Sequence, residues 1–439
     1  MRKPAFIIAA DRSGSGKTTI TVGLLHTLKE KGYSIAPFKC GPDYIDTAHL
    51  TCASGSFAYN LDSIMLSRAE LKDTFFENLI QADIGIVEGV MGLFDGIESY
   101  TFKASTYDIA KILNLPVVIV IDASKCSASI VASVKGFEEL AREIKINGVI
   151  INNIGSSIHE KLVRDAIRNH SSLKILGIIP KNRELTLRSR HLGLKVAEET
   201  EKEEYEKIAE HIGKYANIDE IIRLSEIEFE YEIKHATTIK SKTALIAYDK
   251  AFNFYYQNNL RELEKMGYNL KFFSPLKNET VDNADFVYLG GGYPELYAER
   301  LSKSVKTIKS IAEHINSDKP LIAECGGMML LSEGIYIDDE FYKMAKVFNV
   351  KIKMSKRRKA LGYVKVKDLT KTFLEGPVFG HEFHYSYYTQ IDEQFSFELK
   401  KLTDGTVYKD GLMKNRAIAS YVHFLFSKKF LKNLCGGVL

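Results

Sequence analysis

The stretch Ala5-Phe6-Ile7-Ile8-Ala9-Ala10, followed directly by Asp11-Arg12-Ser13-Gly14-Ser15-Gly16-Lys17-Thr18-Thr19, decides how the first half of the chain is read. An uninterrupted apolar run of this length is a strand buried on both faces. The turn after it is rich in glycine and opens a segment of helical spacing, Thr18–Lys31. Strand, loop and helix in this order are the setting a phosphate-binding loop requires. Gly14 and Gly16 let backbone N–H groups approach phosphate oxygens, and the helix N-terminus adds a favourable dipole. Lys17 supplies positive charge and Thr18 is placed to hold Mg²⁺, while Ser13, Ser15 and Thr19 complete the candidate nucleotide-binding set. The strict spacing asks for glycine at position 11, where this chain has Asp.

Outward from this loop, short apolar runs recur at Ile35–Phe38, Ile84–Val87, Val117–Ile121, Val149–Ile151 and Ile175–Ile179. Amphipathic stretches such as Ser127–Glu143 separate them. Buried parallel strands alternating with covering helices give a doubly wound α/β sheet, whose binding sites lie at the strands' carboxyl ends. From Glu198 to Lys242 charged residues dominate, and residues 225–242 are read as a linker between a first domain, 1–224, and a second, 243–439. In the second, Thr243–Ala247, Leu270–Phe273, Phe286–Leu289 and Leu321–Ala323 repeat the α/β pattern.

The 439 residues carry 60 basic and 56 acidic side chains, a net charge of +4, so bulk charge does not suggest a nucleic-acid-coating protein. The basic run Lys351, Lys353, Lys356-Arg357-Arg358-Lys359 is read as a solvated hairpin, with steering of an acidic substrate as the functional option. Five cysteines, at 40, 52, 126, 325 and 435, form no CxxC pair, which speaks against a disulfide framework and a cysteine zinc site. No apolar run approaches the roughly 18 residues of a membrane span, and the start is too short in apolar residues for a signal peptide. The expectation is a cytoplasmic chain with reduced thiols and no membrane partner.

Two further segments fall at expected strand ends: Phe38-Lys39-Cys40-Gly41-Pro42-Asp43-Tyr44-Ile45-Asp46 and Val87-Glu88-Gly89-Val90-Met91-Gly92-Leu93-Phe94-Asp95-Gly96. An acid after a buried strand beside a phosphate loop completes an Mg²⁺ shell, and Glu88 fits that role best. These segments closely resemble the signature motifs of cobyrinate a,c-diamide synthases, ATP- and glutamine-dependent ligases of corrinoid biosynthesis. The likeness continues through Tyr59-Asn60-Leu61-Asp62, Gly148–Gly155 and Arg190-His191-Leu192-Gly193-Leu194, nearly the whole chain. It implies a dethiobiotin-synthetase-like phosphate-loop domain followed by a class I glutamine amidotransferase domain of flavodoxin-like fold. Carried over, it assigns Asp43, Tyr44, Ile45 and Asp46 to the substrate and reaction site, Asp43 and Glu88 to metal, Asp95 to the transfer step and Asn152 to the adenine. The chain departs from the family at Ala10, where a loop glycine is usual, at Thr47 for Pro, and at Asn153 for Arg.

In the second domain, Ala323-Glu324-Cys325-Gly326-Gly327 reads as strand, tight turn and helix with Cys325 at the elbow, a setting expected to lower the thiol's pKa. The other four cysteines are read as small buried apolar residues. By the resemblance, His423 in Ser420-Tyr421-Val422-His423-Phe424 is the base that activates Cys325. Gly291 and Gly292, in Leu289-Gly290-Gly291-Gly292-Tyr293-Pro294, belong to the loop whose N–H groups would hold the oxyanion. Many such glutaminases carry an acid two residues after the histidine, and that place is Leu425 here. His381 and His384 are read as supporting residues.

A carboxylate becomes an acceptor for ammonia once ATP converts it to an acyl phosphate, so the implied reaction is amidation of cobyrinate or a related tetrapyrrole polycarboxylate with ammonia from L-glutamine. Keeping ammonia unprotonated argues for transfer through a domain contact. A nickel-sirohydrochlorin a,c-diamide synthase shares these motifs. A regulatory ATPase switch shares the loop, but has no use for Cys325 and His423 and carries a lysine where this chain has Arg12. Oligomeric state is open, a homodimer included.

Overall fold

A computed structural model describes residues 1–182, 184–185, 202–232, 240–372, 374, 376 and 378–435. They form two compact units, Met1–Lys234 and His235–Leu439. The motif at Arg190–Leu194 lies outside the described residues, as do residues 233–239 of the expected linker.

The first unit runs β1 (Arg2–Ala10), α1 (Lys17–Glu30), β2 (Ile35–Cys40), α2 (Ile45–Ser54), β3 (Tyr59–Leu61), α3 (Arg68–Leu79), β4 (Ile84–Glu88) and α4 (Thr106–Leu113). It continues through β5 (Val117–Asp122), α5 (Ile130–Leu140), β6 (Ile146–Ile154), α6 (Ser157–His170), β7 (Lys174–Pro180), α7 (Lys202–Tyr215), α8 (Ile218–Leu224) and β8 (Glu226–Glu228). The strands lie side by side in the order β3-β2-β4-β1-β5-β6-β7, paired in parallel, so the apolar runs read from the sequence are adjacent buried strands. Central β1 places the phosphate loop between the carboxyl ends of β4 and β5, where the strand order reverses.

Two elements depart from the sequence reading. Helix α7 buries Tyr205, Ile208, Ala209 and Ile212 beneath a charged outer face, and its contact with α1 is close because Gly23 has no side chain. An ideal β-carbon on Gly23 would lie 2.5 Å from Ile212 Cγ1. Glu226–Glu228, assigned to the linker, instead pair antiparallel with Arg2–Pro4, because the beginning of β1 has a free edge there.

The second unit begins with β9 (Lys242–Ala247), α9 (Gln257–Lys265), β10 (Tyr268–Phe273), β11 (Phe286–Leu289), α10 (Ala298–Ser302), α11 (Val305–Asn316), β12 (Leu321–Glu324) and α12 (Gly326–Leu331). Then come β13 (Gly334–Ile337), β14 (Glu340–Lys343), β15 (Val350–Met354), β16 (Ala360–Asp368), β17 (Val378–His384), β18 (Ser386–Ile391), β19 (Phe397–Lys401) and β20 (Val407–Asp410). The last elements are β21 (Leu412–Lys414), β22 (Ala417–Ser420), β23 (His423–Phe424) and α13 (Lys428–Cys435). A six-stranded sheet, β10-β9-β11-β12-β22-β21, is parallel except at β21. Alternate residues of β9 enter opposite cores, Leu245 and Ala247 on one face and Ala244 and Ile246 on the other.

The sequence reading stopped short of two smaller sheets, β14-β13-β15-β18 and β20-β19-β16-β17-β23. The basic run is not a hairpin. Lys351 and Lys353 lie on β15, and the exposed residues 356–359 lead to β16 in the other sheet, where Ala360 pairs with His384. Among the described residues no helix is long and apolar enough to cross a membrane.

Candidate active sites

The first site is built on the phosphate loop. Gly14 and Gly16 have φ of +82° and +91°, the left-handed region that favours glycine. Gly16 has a second constraint: Asn152 Nδ2 would lie 2.2 Å from a β-carbon there. That amide donates to Ser15 O at 2.8 Å, so Asn152 braces the loop with the group the resemblance turned toward adenine. Asp11, in the unexpected place, accepts from the Ser15 hydroxyl and from Arg12, and Arg12 reaches on to Asp122 at 2.7 Å. A ring of side chains thus holds the loop's shape where the strict pattern relies on glycine.

Below the loop is a buried charge cluster. Thr18 Oγ1 donates to Glu88 Oε1 at 2.6 Å, and Lys39 Nζ donates to the same oxygen at 3.0 Å, to Gly89 O at 3.1 Å and to Asp46 Oδ2 at 2.5 Å. Glu88 has no exposure and its Oε2 has no hydrogen-bond partner among the described residues. A buried carboxylate oxygen without a donor, beside a threonine hydroxyl, suits a hard cation that takes few protein ligands and keeps phosphate and water oxygens. Among the described residues no three His, Cys, Asp or Glu side chains form a metal cluster, so a cation here would rely on such outside oxygens.

Charge and burial work against each other in this cluster. Burial alone would lower Lys39, but Asp46 and Glu88 outweigh it and hold the ammonium well above its usual range. Lys17 is lowered, first by burial and then by Lys39. Burial raises Glu88, and for Asp46 the attraction of Lys39 overcomes the effect of burial and holds it low. Desolvation and the Asp46 carboxylate push Asp43 up to about 6. Asp43 Oδ1 accepts the Asp46 N–H at 2.8 Å, so this carboxylate caps the start of α2 where the resemblance implied a metal ligand. Asn60, from the Tyr-Asn-Leu-Asp motif, holds the same loop by donating to Gly41 O and Asp43 O at 2.8 and 2.9 Å.

Tyr44 and Ile45 are half-buried beside this cluster at the start of α2. Asp95 is exposed, and its Oδ2 accepts the Gly92 N–H at 2.8 Å. Its turn is anchored on the strand before the phosphate loop by Leu93 N donating to Ala10 O. Lys39, absent from the sequence-derived set, is the connecting residue of the site. Its signal was a single charge inside an otherwise uncharged buried strand, Ile35-Ala36-Pro37-Phe38-Lys39-Cys40.

The second site sits at the carboxyl ends of β12 and β22, where Glu324 and Ser420 are register partners. Cys325 follows at φ +48° and ψ −100°, a conformation that non-glycine residues rarely adopt and an elbow that turns the chain sharply into α12. It is held by Cys325 N donating to Ser420 O at 2.8 Å. The Gly290–Gly292 loop joins the pieces. An ideal β-carbon on Gly291 would lie 2.7 Å from His423 Cε1 and 3.5 Å from Nε2, and one on Gly326 would lie 3.2 Å from Gly292 N. The loop is therefore glycine where His423 and the residue after Cys325 approach its backbone.

The expected low thiol pKa is corrected. Cys325 is 8% exposed, and burial, then the carboxylate of Glu295, push its thiol well up, while α12 is only six residues long. A buried thiol among acids rests protonated, so a base must take its proton as it attacks. Of the other cysteines only Cys40 is buried. Cys52 is exposed, and Cys126 and Cys435 are half-buried.

Around His423 the residues are tightly enclosed. His423 Nδ1 lies 3.5 Å from Glu324 Oε2, with both side chains nearly inaccessible. Tyr288 O–H donates to the same oxygen at 2.7 Å, and Phe424 N donates to Glu324 Oε1 at 3.0 Å. Leu425, in the usual place of the acid, is buried and apolar. His381 is the register partner of His423 across β17 and β23, and His384 stacks on Tyr421 with ring centres 3.9 Å apart. His381 thus lies beside the base, whereas the ring contact of His384 is with Tyr421.

A family model described as a CobQ/CobB/MinD/ParA nucleotide binding domain matches residues 6–194, and one described as a CobB/CobQ-like glutamine amidotransferase domain matches residues 243–430. The chain is 38% identical over 427 residues to a cobyrinate a,c-diamide synthase of Caldanaerobacter subterraneus subsp. tengcongensis, covering 95% of this chain and 94% of that one. The chain belongs to the cobyrinate a,c-diamide synthase family. It is 39% identical over 434 residues to the synthase of Listeria monocytogenes serovar 1/2a, with 96% of each chain covered. With that of Saccharolobus solfataricus it shares 36% identity over 433 residues, covering 96% and 97%. It is thus an amidating ligase with a nucleotide-binding unit and a glutamine amidotransferase unit.

Proposed function

We propose that this chain amidates the a and c carboxylates of cobyrinate with ammonia taken from glutamine, forming each amide through an acyl phosphate made with ATP. The observation that carries the reading is the buried cluster beneath the phosphate loop, where Thr18, Glu88, Lys39 and Asp46 are joined by direct hydrogen bonds. It sets a buried cation, Lys39, and an acid for a metal, Glu88, directly beneath the loop that carries Lys17.

In this reading the loop N–H groups from Gly14 to Thr18 cradle the ATP phosphates and Lys17 neutralises charge that moves with the γ-phosphoryl group. Thr18 and Glu88 would hold Mg²⁺, which when bound supplies further charge neutralisation at the phosphates. Lys39 offers Glu88 and Asp46 a counter-charge and holds both in place. Asp43, Tyr44, Ile45 and Asp46 face the carboxylate to be activated, and Asp95 takes part in the transfer step. At the second site Cys325 attacks the side-chain amide of glutamine, His423 takes the thiol proton and then gives it to the departing ammonia, and Gly291 and Gly292 hold the oxyanion. Water then releases glutamate. ATP supply and reduced thiols agree with a cytoplasmic setting.

The test is amidation followed by mass spectrometry, with ATP, Mg²⁺ and glutamine, on cobyrinate and on nickel-sirohydrochlorin in parallel. Two successive losses of one mass unit on cobyrinate, each with one ATP hydrolysed, is the expected result. Preference for the nickel compound would reassign the substrate, and ATP hydrolysis indifferent to both would overturn the ligase reading. Cys325→Ala is expected to abolish glutamine use and keep ammonia-supported amidation, whereas Lys17→Ala and Glu88→Gln are expected to block both.

A further inference from the structure

Glutaminases that use a cysteine and a histidine need a group that orients the imidazole, and Leu425 cannot be one. The strand that delivers the nucleophile also delivers a carboxylate. Glu324 is the last residue of β12, one position before Cys325, and its two oxygens are used differently. Oε1 accepts the N–H of Phe424 at 3.0 Å and so fixes the backbone next to His423. Oε2 faces His423 Nδ1 at 3.5 Å and is itself held by Tyr288 O–H at 2.7 Å. Asn259 completes the support, donating to Tyr288 Oη at 3.1 Å and to Phe424 O at 2.8 Å and accepting the N–H of Phe426 at 2.8 Å.

We infer that Glu324 is the positioning carboxylate of the glutaminase site, holding His423 with a proton on Nδ1 and its Nε2 toward the glycine loop and Cys325. This rests on the proposed roles of Cys325 and His423. As Cys325 Sγ bonds to the amide carbon, the thiol proton passes to His423 Nε2 and the carbonyl electron pair to oxygen. Glu324 stabilises the imidazolium that forms. When the C–N bond breaks, that proton leaves with ammonia. The 3.5 Å separation is one that tightens as the ring gains charge, as catalytic hydrogen bonds do on going from the free enzyme to the reacting complex. The arrangement ties base and nucleophile to a single strand end, where a carboxylate two residues after the histidine would tie base and acid to the other strand.

The test compares Glu324→Gln, Glu324→Asp and Tyr288→Phe with Cys325→Ala in the full-length protein. Readouts are kcat and KM for glutamine, the pH profile of kcat/KM, and ammonia-supported amidation, which serves as the reference for intact protein. A glutamine amide at position 324 offers an N–H to Nδ1 and favours the wrong ring tautomer. Glu324→Gln is therefore expected to lower kcat at least 100-fold with KM changed less than threefold, and to move the acidic limb of the profile to lower pH as the imidazolium loses its partner. Glu324→Asp is expected to recover at least tenfold of that loss. Glutaminase kcat within threefold of the parent in Glu324→Gln, with Cys325→Ala inactive, overturns the assignment alone. Glutamine-dependent turnover by Cys325→Ala overturns the assignment together with the nucleophile reading. If Glu324→Gln does not fold, Tyr288→Phe decides: a three- to tenfold lower kcat at unchanged KM supports the assignment, and an unchanged kcat overturns it.

Discussion

Gly16 is constrained twice, by its φ of +91° and by the Asn152 amide that occupies the place of a β-carbon. Left-handed backbone costs an L-residue about 1–2 kcal/mol, and the overlap displaces the group that braces Ser15. Gly16→Ala is expected to weaken ATP binding at least tenfold by calorimetric titration, and an unchanged affinity would show that the loop accepts a side chain. Lys39 sits at the opposite extreme, a buried ammonium on which two carboxylates depend. Lys39→Met leaves Glu88 buried without its counter-charge, a loss of roughly 3 kcal/mol in stability. Urea unfolding should register that loss, and amidation should fall at least 100-fold with either nitrogen source. His381 provides a pH signature. Burial, then the neighbouring His423, keeps its ring neutral down to about 3, whereas an unfolded histidine takes up a proton near 6.5. Between these values unfolding binds a proton, so stability falls as pH falls, by about 1.4 kcal/mol per pH unit from this group. Urea midpoints measured from pH 7 to 5 should drop accordingly, and His381→Asn should flatten the slope.

At the scale of elements, the parallel strands were plain because each is buried on both faces and reads as an unbroken apolar run, Val117–Ile121 most clearly. Helix α7 was not, although Tyr205, Ile208, Ala209 and Ile212 keep helical spacing, because Glu and Lys outnumber them and dominate the local composition. Strands β13 to β20 are half-buried, short and mixed in polarity, so alternation such as that of Val364 and Val366 on β16 competes with the lysines between them. The site followed the same rule. Gly16, Lys17, Cys325 and His423 belong to local patterns, while Lys39 and Glu324 act through partners 49 and 99 positions away, as the pairs with Glu88 and His423 require. The α1 and α7 contact offers a test of what composition hid. Gly23→Leu would thrust a side chain into Ile212, and a destabilisation of about 1–3 kcal/mol with reduced ATP binding is expected.

For the whole molecule, each unit has buried hydrophobic clusters of its own, including one that holds Ile8 and Ile86 in Met1–Lys234 and those that hold Val287 and Tyr288 in His235–Leu439. A ligand that binds only the native state raises its stability, by about 2.7 kcal/mol at a hundredfold excess over Kd. ATP with Mg²⁺ should therefore raise the calorimetric transition of the first unit, and glutamine that of the second in Cys325→Ala, which is expected to bind it without turnover. A shift of the wrong transition would contradict the placement of the two sites.

The pairing of Arg2–Pro4 with Glu226–Glu228 also has a bearing on biosynthesis. β1 leaves the ribosome before every strand it pairs with: its parallel neighbours are residues 84–88 and 117–122 and its antiparallel partner comes more than two hundred residues later. At roughly 5–20 residues per second the nascent strand waits on the order of ten seconds or more for that last partner. Through that interval the backbone edge at Arg2–Pro4 is open to chaperones and to other chains, and a polypeptide that ends where the nucleotide-binding match ends, at residue 194, would never receive either α7 or β8.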